Sequence, residues 1–109
     1  MKYSIVLYLQ YEALHCWTDC PYEDVSFLKH PHRHMFHIRM KKAVTHTDRD
    51  IEIIRFKWEV QNWLDQKYNH NLDNMSCEML AAEILTQYGC SEVEVTEDGE
   101  HGAVVEVES

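Results

Sequence analysis

The stretch HRHMFHIRMKKAV, residues 32–44, decides the fold, because histidines and apolar side chains occupy every second position from residue 32 to residue 40. Side chains of a strand point to opposite faces in turn, so a period of two predicts a β-strand with one buried face. The residues on that face are His32, His34, Phe36, Ile38 and Met40. Two histidines are therefore expected side by side where the strand begins.

A second long strand is predicted over residues 2–15, in which alternate residues are again apolar or aromatic. His15 lies at its end, and beside His32 and His34 it would complete a cluster of three imidazoles. That is the ligand number of a catalytic zinc site, whose fourth position stays open for water or substrate. The alternative is a histidine-rich polar segment without a metal, because the chain has eight histidines and chance pairs are expected.

The middle of the chain predicts a loop, a short strand and a first helix. Residues 16–31 carry aspartates and prolines and predict a loop, and a turn at 45–49 precedes a short strand at 51–56. A helical period then runs from Lys57 to about Asn69. Its predicted buried stripe is Trp58, Val60 or Gln61, Leu64 and Tyr68.

The last third predicts a second helix and a hairpin. The helix begins after Ser76, an N-cap residue, and ends before Gly89. Its predicted buried residues are Met79, Leu80 and Ile84. Two strands then flank the turn signal Asp98-Gly99. The predicted order is ββ(β)ααββ, an α+β fold in a single domain, residues 1–109.

Composition excludes several classes of function. A net charge of −9 argues against a general nucleic-acid binder or a protein of anionic membrane surfaces. No apolar run approaches the roughly 18–20 residues that span a bilayer, and the first residues predict a strand rather than a signal peptide. We therefore expect a cytoplasmic protein with reduced cysteines. The spacing of Cys16 and Cys20 would fit half of a zinc knuckle, but no second half follows.

Self-association is expected from the strand pattern. Hairpins on either side of a helix pair leave strands with unpaired edges, and joining the edges of several copies removes them. The sequence therefore predicts a homo-oligomer.

Six short blocks follow one another over nearly the whole chain. They are Tyr11-Glu12-Ala13-Leu14-His15, His32-Arg33-His34-Met35-Phe36, Ile53-Ile54-Arg55-Phe56, Asn69-His70-Asn71-Leu72, Asn74-Met75-Ser76-Cys77-Glu78-Met79-Leu80-Ala81 and Val93-Glu94-Val95-Thr96-Glu97. In this order they resemble F-x-A-x-H, H-G-H-x-[FY], an apolar segment that opens the first helix, D-H-x-x-L-N, N-P-T-x-E-x-L-A and V-x-V-x-E-T. The fourth block has one residue fewer than its motif. These are motifs of the 6-pyruvoyl-tetrahydropterin synthase family, and especially of its queuosine-pathway branch, 6-carboxytetrahydropterin synthase.

The resemblance implies a fold, a metal and a reaction. The fold would be the T-fold, an antiparallel four-stranded sheet with two helices on one face, closed into a barrel in a trimer or hexamer. His15, His32 and His34 would bind zinc, and Glu97 would anchor a pterin ring. The implied activity is that of a zinc-dependent lyase, which converts 7,8-dihydroneopterin triphosphate to 6-carboxytetrahydropterin for 7-deazaguanine synthesis.

The acid/base positions depart from the family pattern. Leu28 stands where the queuosine branch has a cysteine, and Asn69 replaces the aspartate that precedes the histidine matched by His70. Cys20 is the first candidate to act with His70; Cys16, Glu23 and Asp24 are the others. The alternative is a catalytically inactive T-fold protein that binds zinc, with or without a pterin or purine, or has a structural role.

Two arginines also differ from the family pattern. Arg33 replaces the glycine between the two histidines, and Arg55 replaces an aspartate. Each is a candidate cation for a triphosphate, and the alternative for each is a solvated surface charge.

Overall fold

The computed structural model describes residues 1–108 and has four strands and two α-helices in the order ββααββ. The elements are β1 (Tyr3–His15), β2 (His32–Val44), α1 (Ile53–Tyr68), α2 (Cys77–Tyr88), β3 (Glu92–Glu97) and β4 (His101–Glu106). The strands form one open antiparallel sheet in the order β1-β2-β3-β4. The predicted α+β class with a four-stranded antiparallel sheet is therefore confirmed.

The register of the sheet positions the site. β1 and β2 pair along their whole length, from Tyr3 opposite Val44 to His15 opposite His32. β3 pairs with the middle of β2, residues 36–41, and Glu97 at its end lies opposite Phe36. The end of β1, the start of β2 and the end of β3 therefore meet at one end of the sheet.

Both helices pack on one face of the sheet, and the core lies between the helices and that face. The strand residues in the core are Leu7, Leu9, Tyr11, Ala13, Phe36, Ile38, Met40, Val93 and Val95. They alternate along their strands, as a half-buried sheet requires. His32, His34 and Glu97 continue the same alternation, so they lie at the end of the core face.

The predicted short strand at 51–56 is wrong, because these residues lead into α1. The helix begins at Ile53, and the Glu52 carboxylate caps it by accepting the backbone N–H groups of Ile54 and Arg55. A short run of β-branched residues is ambiguous between strand and helix. The cap decides in favour of the helix here, since it satisfies two N–H groups that a helix start leaves free.

Two of the predicted buried helix positions are also wrong. Trp58 and Met79 are 64% and 56% exposed. The helix residues that enter the core are Phe56, Val60 and Leu64 of α1 and Cys77, Leu80, Ala81 and Ile84 of α2. The buried face of α1 is thus set by a four-residue spacing that begins at Phe56, two residues before Trp58, the first residue of the predicted stripe.

The caps of α2 and the hairpin turn are confirmed. The Ser76 hydroxyl accepts the Met79 N–H, and Gly89 adopts the left-handed conformation just after the helix. Asp98 and Gly99 both have positive φ, as a tight hairpin turn requires. The predicted loop at 16–31 contains a 3₁₀ segment, Glu23–Lys29. In the described part of the chain, no helix is both long enough and apolar enough to cross a membrane.

Candidate metal centre and adjoining cleft

His15, His32 and His34 converge at the end of the sheet. Each offers one ring nitrogen, and these three nitrogen atoms all lie within 4.8 Å of one another. The register explains why: His15 is directly opposite His32, and His34 is the next residue of β2 on the same face. Sequence reasoning predicted this cluster, and the described residues contain it as a group that could hold a metal ion.

The three rings present the same nitrogen to the centre. Nδ1 of His15 lies 2.9 Å from the Met75 carbonyl, and Nδ1 of His32 lies 2.8 Å from the His30 carbonyl. Nδ1 of His34 lies 2.7 Å from Oδ2 of Asp98. An acceptor beside every Nδ1 keeps the proton there, which leaves every Nε2 with a free lone pair.

The Nε2 atoms lack partners that could satisfy those lone pairs. Nε2 of His15 and of His32 is buried, with no hydrogen-bond partner among residues 1–108. Nε2 of His15 does face Oε2 of Glu97 at 3.0 Å. When Nδ1 of His15 donates to the Met75 carbonyl, however, Nε2 of His15 and Oε2 of Glu97 are both acceptors. A proton or a metal cation between them would relieve this, because an unsatisfied buried polar group is costly.

The electrostatics favour positive charge at this point. Burial lowers the pKa of His15, but the nearby Glu97 carboxylate and the Met75 carbonyl outweigh it, so the pKa is raised from 6.5. The His15 ring holds the pKa of Glu97 below 4.5, and the His34 ring adds to this effect. A metal ion would supply the same positive charge without a proton.

The donor set fits a divalent transition metal. Three neutral imidazoles suit zinc and its neighbours, and the second nitrogen of each ring is already hydrogen-bonded, as is usual for metal-binding histidines. In a tetrahedral zinc site the ligand nitrogens are about 3.4 Å apart, which follows from bonds of about 2.0–2.1 Å. Small rotations of the rings would bring separations of up to 4.8 Å into that range.

A cleft of about 550 Å³ adjoins the histidines. This size suits a small organic molecule. Its wall includes His15, His32, Glu97, Leu28, Cys77 and His101. Glu97 is a partly buried carboxylate of this wall, with 19% of its side chain exposed, and its Oε1 lies 3.2 Å from Nε2 of His101.

The first two predicted acid/base residues, Cys20 and His70, lie away from the cleft wall, whereas the alternative cysteine, Cys16, lines it. Cys20 is 3% exposed, and its thiol donates to the carbonyls of Tyr22 and Val25 within the 16–31 loop. His70 stacks on the Tyr11 ring, and its Nδ1 is 2.6 Å from the Glu12 carbonyl. Leu28, at the family's cysteine position, does line the cleft. The wall is therefore apolar at that point.

His70 has a carboxylate partner that the sequence did not reveal. Its Nε2 lies 3.4 Å from Oδ1 of Asp65, in the last turn of α1. Asn69 cannot supply this carboxylate and instead caps the helix in the left-handed conformation. An Asp–His pair thus exists, but its aspartate comes from four residues earlier than the family pattern implies.

Sequence reasoning missed three residues of the site. Asp98 was assigned only to a turn, but its carboxylate contacts His34. His101 contacts Glu97 across the hairpin, and Cys77, the first residue of α2, lines the cleft. Burial raises the pKa of the Cys77 thiol to about 12, and the nearby charge of Glu97 adds to the effect. Correct pairing of β2 with β3 would have revealed Asp98, because it directly follows Glu97.

No protein-family model matches the chain, and no curated protein is significantly similar to it. The geometry of the site and the order of the motifs are therefore the observations that bear on its function.

The metal-free protein should be most stabilised by the His15–Glu97 pair between about pH 4.5 and pH 6.5. His15 has a raised pKa, so its contribution is complete below 6.5 and is lost as the pH rises through the folded-state value. Glu97 has a lowered pKa, so its contribution is complete above 4.5 and is lost as the pH falls through the folded-state value. Thermal unfolding of chelator-treated protein across this range measures the effect.

Glu97→Gln is the matched variant for this measurement, because it removes the charge and keeps the shape. Its unfolding temperature should vary less with pH than that of the wild type. Identical pH profiles for the two proteins would show that the pair contributes nothing to stability.

Proposed function

We propose that the protein is a zinc-dependent lyase of the 6-pyruvoyl-tetrahydropterin synthase family, most similar to 6-carboxytetrahydropterin synthase. Its substrate would be 7,8-dihydroneopterin triphosphate, and its product would serve 7-deazaguanine (queuosine) synthesis in the cytoplasm. The convergence of three imidazole nitrogens beside a partly buried carboxylate is the observation that carries this proposal. The order of the six motif blocks supports the family part of the proposal.

The T-fold and its assembly belong to the same proposal. An open four-stranded sheet with two helices on one face is compatible with it. β1 and β4 are the outer strands of the sheet, so each has one edge without a neighbouring strand in the described part of the chain. Joining these edges between copies would close a barrel, and light scattering should then report a trimer or hexamer.

Each residue of the site would have a distinct task. His15, His32 and His34 would hold the zinc ion, which would supply a Lewis acid that polarises a ligand oxygen. The Nε2 of His15 cannot bind a metal and pair with Glu97 at once. Metal loading would therefore free the Glu97 carboxylate, whose two oxygens can accept a pair of adjacent N–H groups of a pterin ring.

His70 would act from a neighbouring copy. Its ring lies outside the cleft of its own chain, so it can serve such a cleft only in an assembly that brings two copies together. Asp65 would then orient the imidazole and stabilise its charged form. Cys20 would have to leave its hydrogen bonds to the loop carbonyls to take part.

Turnover of 7,8-dihydroneopterin triphosphate by the zinc-loaded oligomer is the test. We expect formation of 6-carboxytetrahydropterin, and Glu97→Gln should reduce kcat/KM by on the order of a hundredfold or more, because a charge-assisted pair of hydrogen bonds is lost. Absence of product across the pH range, with zinc bound, would overturn the lyase assignment.

A second candidate function is favoured by the composition of the cleft wall. Leu28 lines the wall in place of a cysteine, and no lysine or arginine lines it within residues 1–108. Arg33 pairs instead with Glu12, at 2.7 Å. These features favour a zinc-binding T-fold protein that binds a pterin or purine without converting it.

Calorimetry with a dihydropterin that lacks the triphosphate, combined with the turnover test, separates the two candidates. The second function predicts binding to the zinc-loaded protein without any product from the triphosphate. Zinc binding without pterin or purine affinity would leave a structural role for the metal.

A further inference from the structure

The Asp98 carboxylate is held in place by the hairpin between β3 and β4. Its Oδ1 accepts the Met35 N–H at 3.0 Å, and its own N–H donates to the Met35 carbonyl at 2.8 Å. Its φ of 56° places it in the left-handed region, beside Gly99 at 73°. The backbone and one oxygen are thus fixed before the second oxygen makes any contact.

That second oxygen contacts a histidine of the cluster. Oδ2 of Asp98 lies 2.7 Å from Nδ1 of His34, and 21% of the His34 side chain is exposed. The corresponding nitrogens of His15 and His32 face backbone carbonyls. Asp98 is therefore the side chain that completes this set of three acceptors.

We propose that Asp98 is a positioning residue of the metal centre. Its carboxylate holds the Nδ1–H tautomer of His34 and the orientation of the ring, so that Nε2 faces the other two histidines. A carboxylate on the far nitrogen also makes an imidazole a stronger ligand. This inference rests on the metal-binding part of the proposed function and is independent of its substrate.

Asp98→Asn is the informative variant. Asparagine tolerates the left-handed conformation, so the turn is expected to survive. The amide has a single acceptor oxygen, whereas Asp98 uses two. If that oxygen keeps the Met35 N–H, the NH₂ group faces Nδ1 of His34. The ring then shifts its proton to Nε2, where it blocks the metal.

Glu100→Gln is the matched control. It removes one negative charge from the same hairpin, and the Glu100 side chain makes no hydrogen bond or ion pair with residues 1–108. A general loss of negative charge near the metal would affect both variants. Loss of the contact with His34 would affect Asp98→Asn alone.

Two measurements test the inference on the full-length protein. Competition titration with zinc should show a 10- to 100-fold weaker affinity for Asp98→Asn, and about wild-type affinity for Glu100→Gln. NMR of the metal-free protein, above the ordinary pKa of histidine, should show the Nδ1–H tautomer of His34 in the wild type and its loss in Asp98→Asn. Circular dichroism confirms that both variants are folded.

The outcomes separate this inference from the metal centre itself. Wild-type zinc affinity and an unchanged His34 tautomer in Asp98→Asn would overturn the role of Asp98 and leave the metal centre standing. Failure of the wild type to bind zinc would overturn both. Equal losses in Asp98→Asn and Glu100→Gln would reduce the role of Asp98 to its charge, which also overturns the proposal.

Discussion

His32→Ala should weaken zinc binding by at least about a hundredfold. Free energies of zinc binding of about 10–16 kcal/mol are shared among about four ligands, so each ligand contributes roughly 3 kcal/mol. His32 also supplies one of the two buried Nε2 atoms without a hydrogen-bond partner among the described residues. Zinc competition with a chromophoric chelator measures the change.

His37→Ala is the control for this variant. His37 belongs to the same strand, but it lies on the alternate face and outside the cluster. It should keep wild-type zinc affinity. Similar losses in both variants would indicate that the histidine-rich segment binds metal without a defined centre.

Phe36→Ala should cost about 3–5 kcal/mol of unfolding free energy and also weaken the metal site. Phe36 is 1% exposed, and removal of a buried phenyl ring leaves a cavity. Its ring also packs edge-on against His15 and His34, with centroids 5.1 Å and 5.8 Å away. Urea unfolding and zinc titration measure the two effects.

Leu64→Ala separates these two effects. Leu64 is fully buried on α1 and does not belong to the histidine cluster. It should lose about 2–5 kcal/mol of stability and keep its zinc affinity in the folded state. Equal zinc affinities in Phe36→Ala and Leu64→Ala would contradict a role of Phe36 in holding the histidine rings.

The sequence predicted the elements whose hydrophobic period or capping residues match the structure that they form. The period of two in residues 32–44 reflects a strand buried on one face, and the histidines continue that period, so both the strand and the cluster could be predicted. The caps at Ser76 and Gly89 are local, which is why α2 was found with nearly its true bounds. The predicted strand at residues 51–56 was wrong because an apolar, β-branched run fits either a strand or a helix. A capping contact from Glu52 decides in favour of the helix.

The parts that the sequence missed depend on pairing between distant segments. Asp98 and His34 are sixty-four residues apart in the chain, and they make contact only because β3 lies beside β2. The loop cysteine Cys20 is turned inward by carbonyls of its own loop, and no periodicity predicts that direction. The carboxylate partner of His70 comes from the preceding helix, so a motif that expects it at position 69 could not reveal it.

X-ray absorption spectroscopy of the zinc-loaded protein tests the metal centre most directly. The account predicts one zinc ion per chain with three nitrogen ligands at about 2.0–2.1 Å and one further light-atom ligand. It also predicts loss of this spectrum in His32→Ala. Sulfur ligands at about 2.3 Å, or a wild-type chain that retains no zinc, would contradict it.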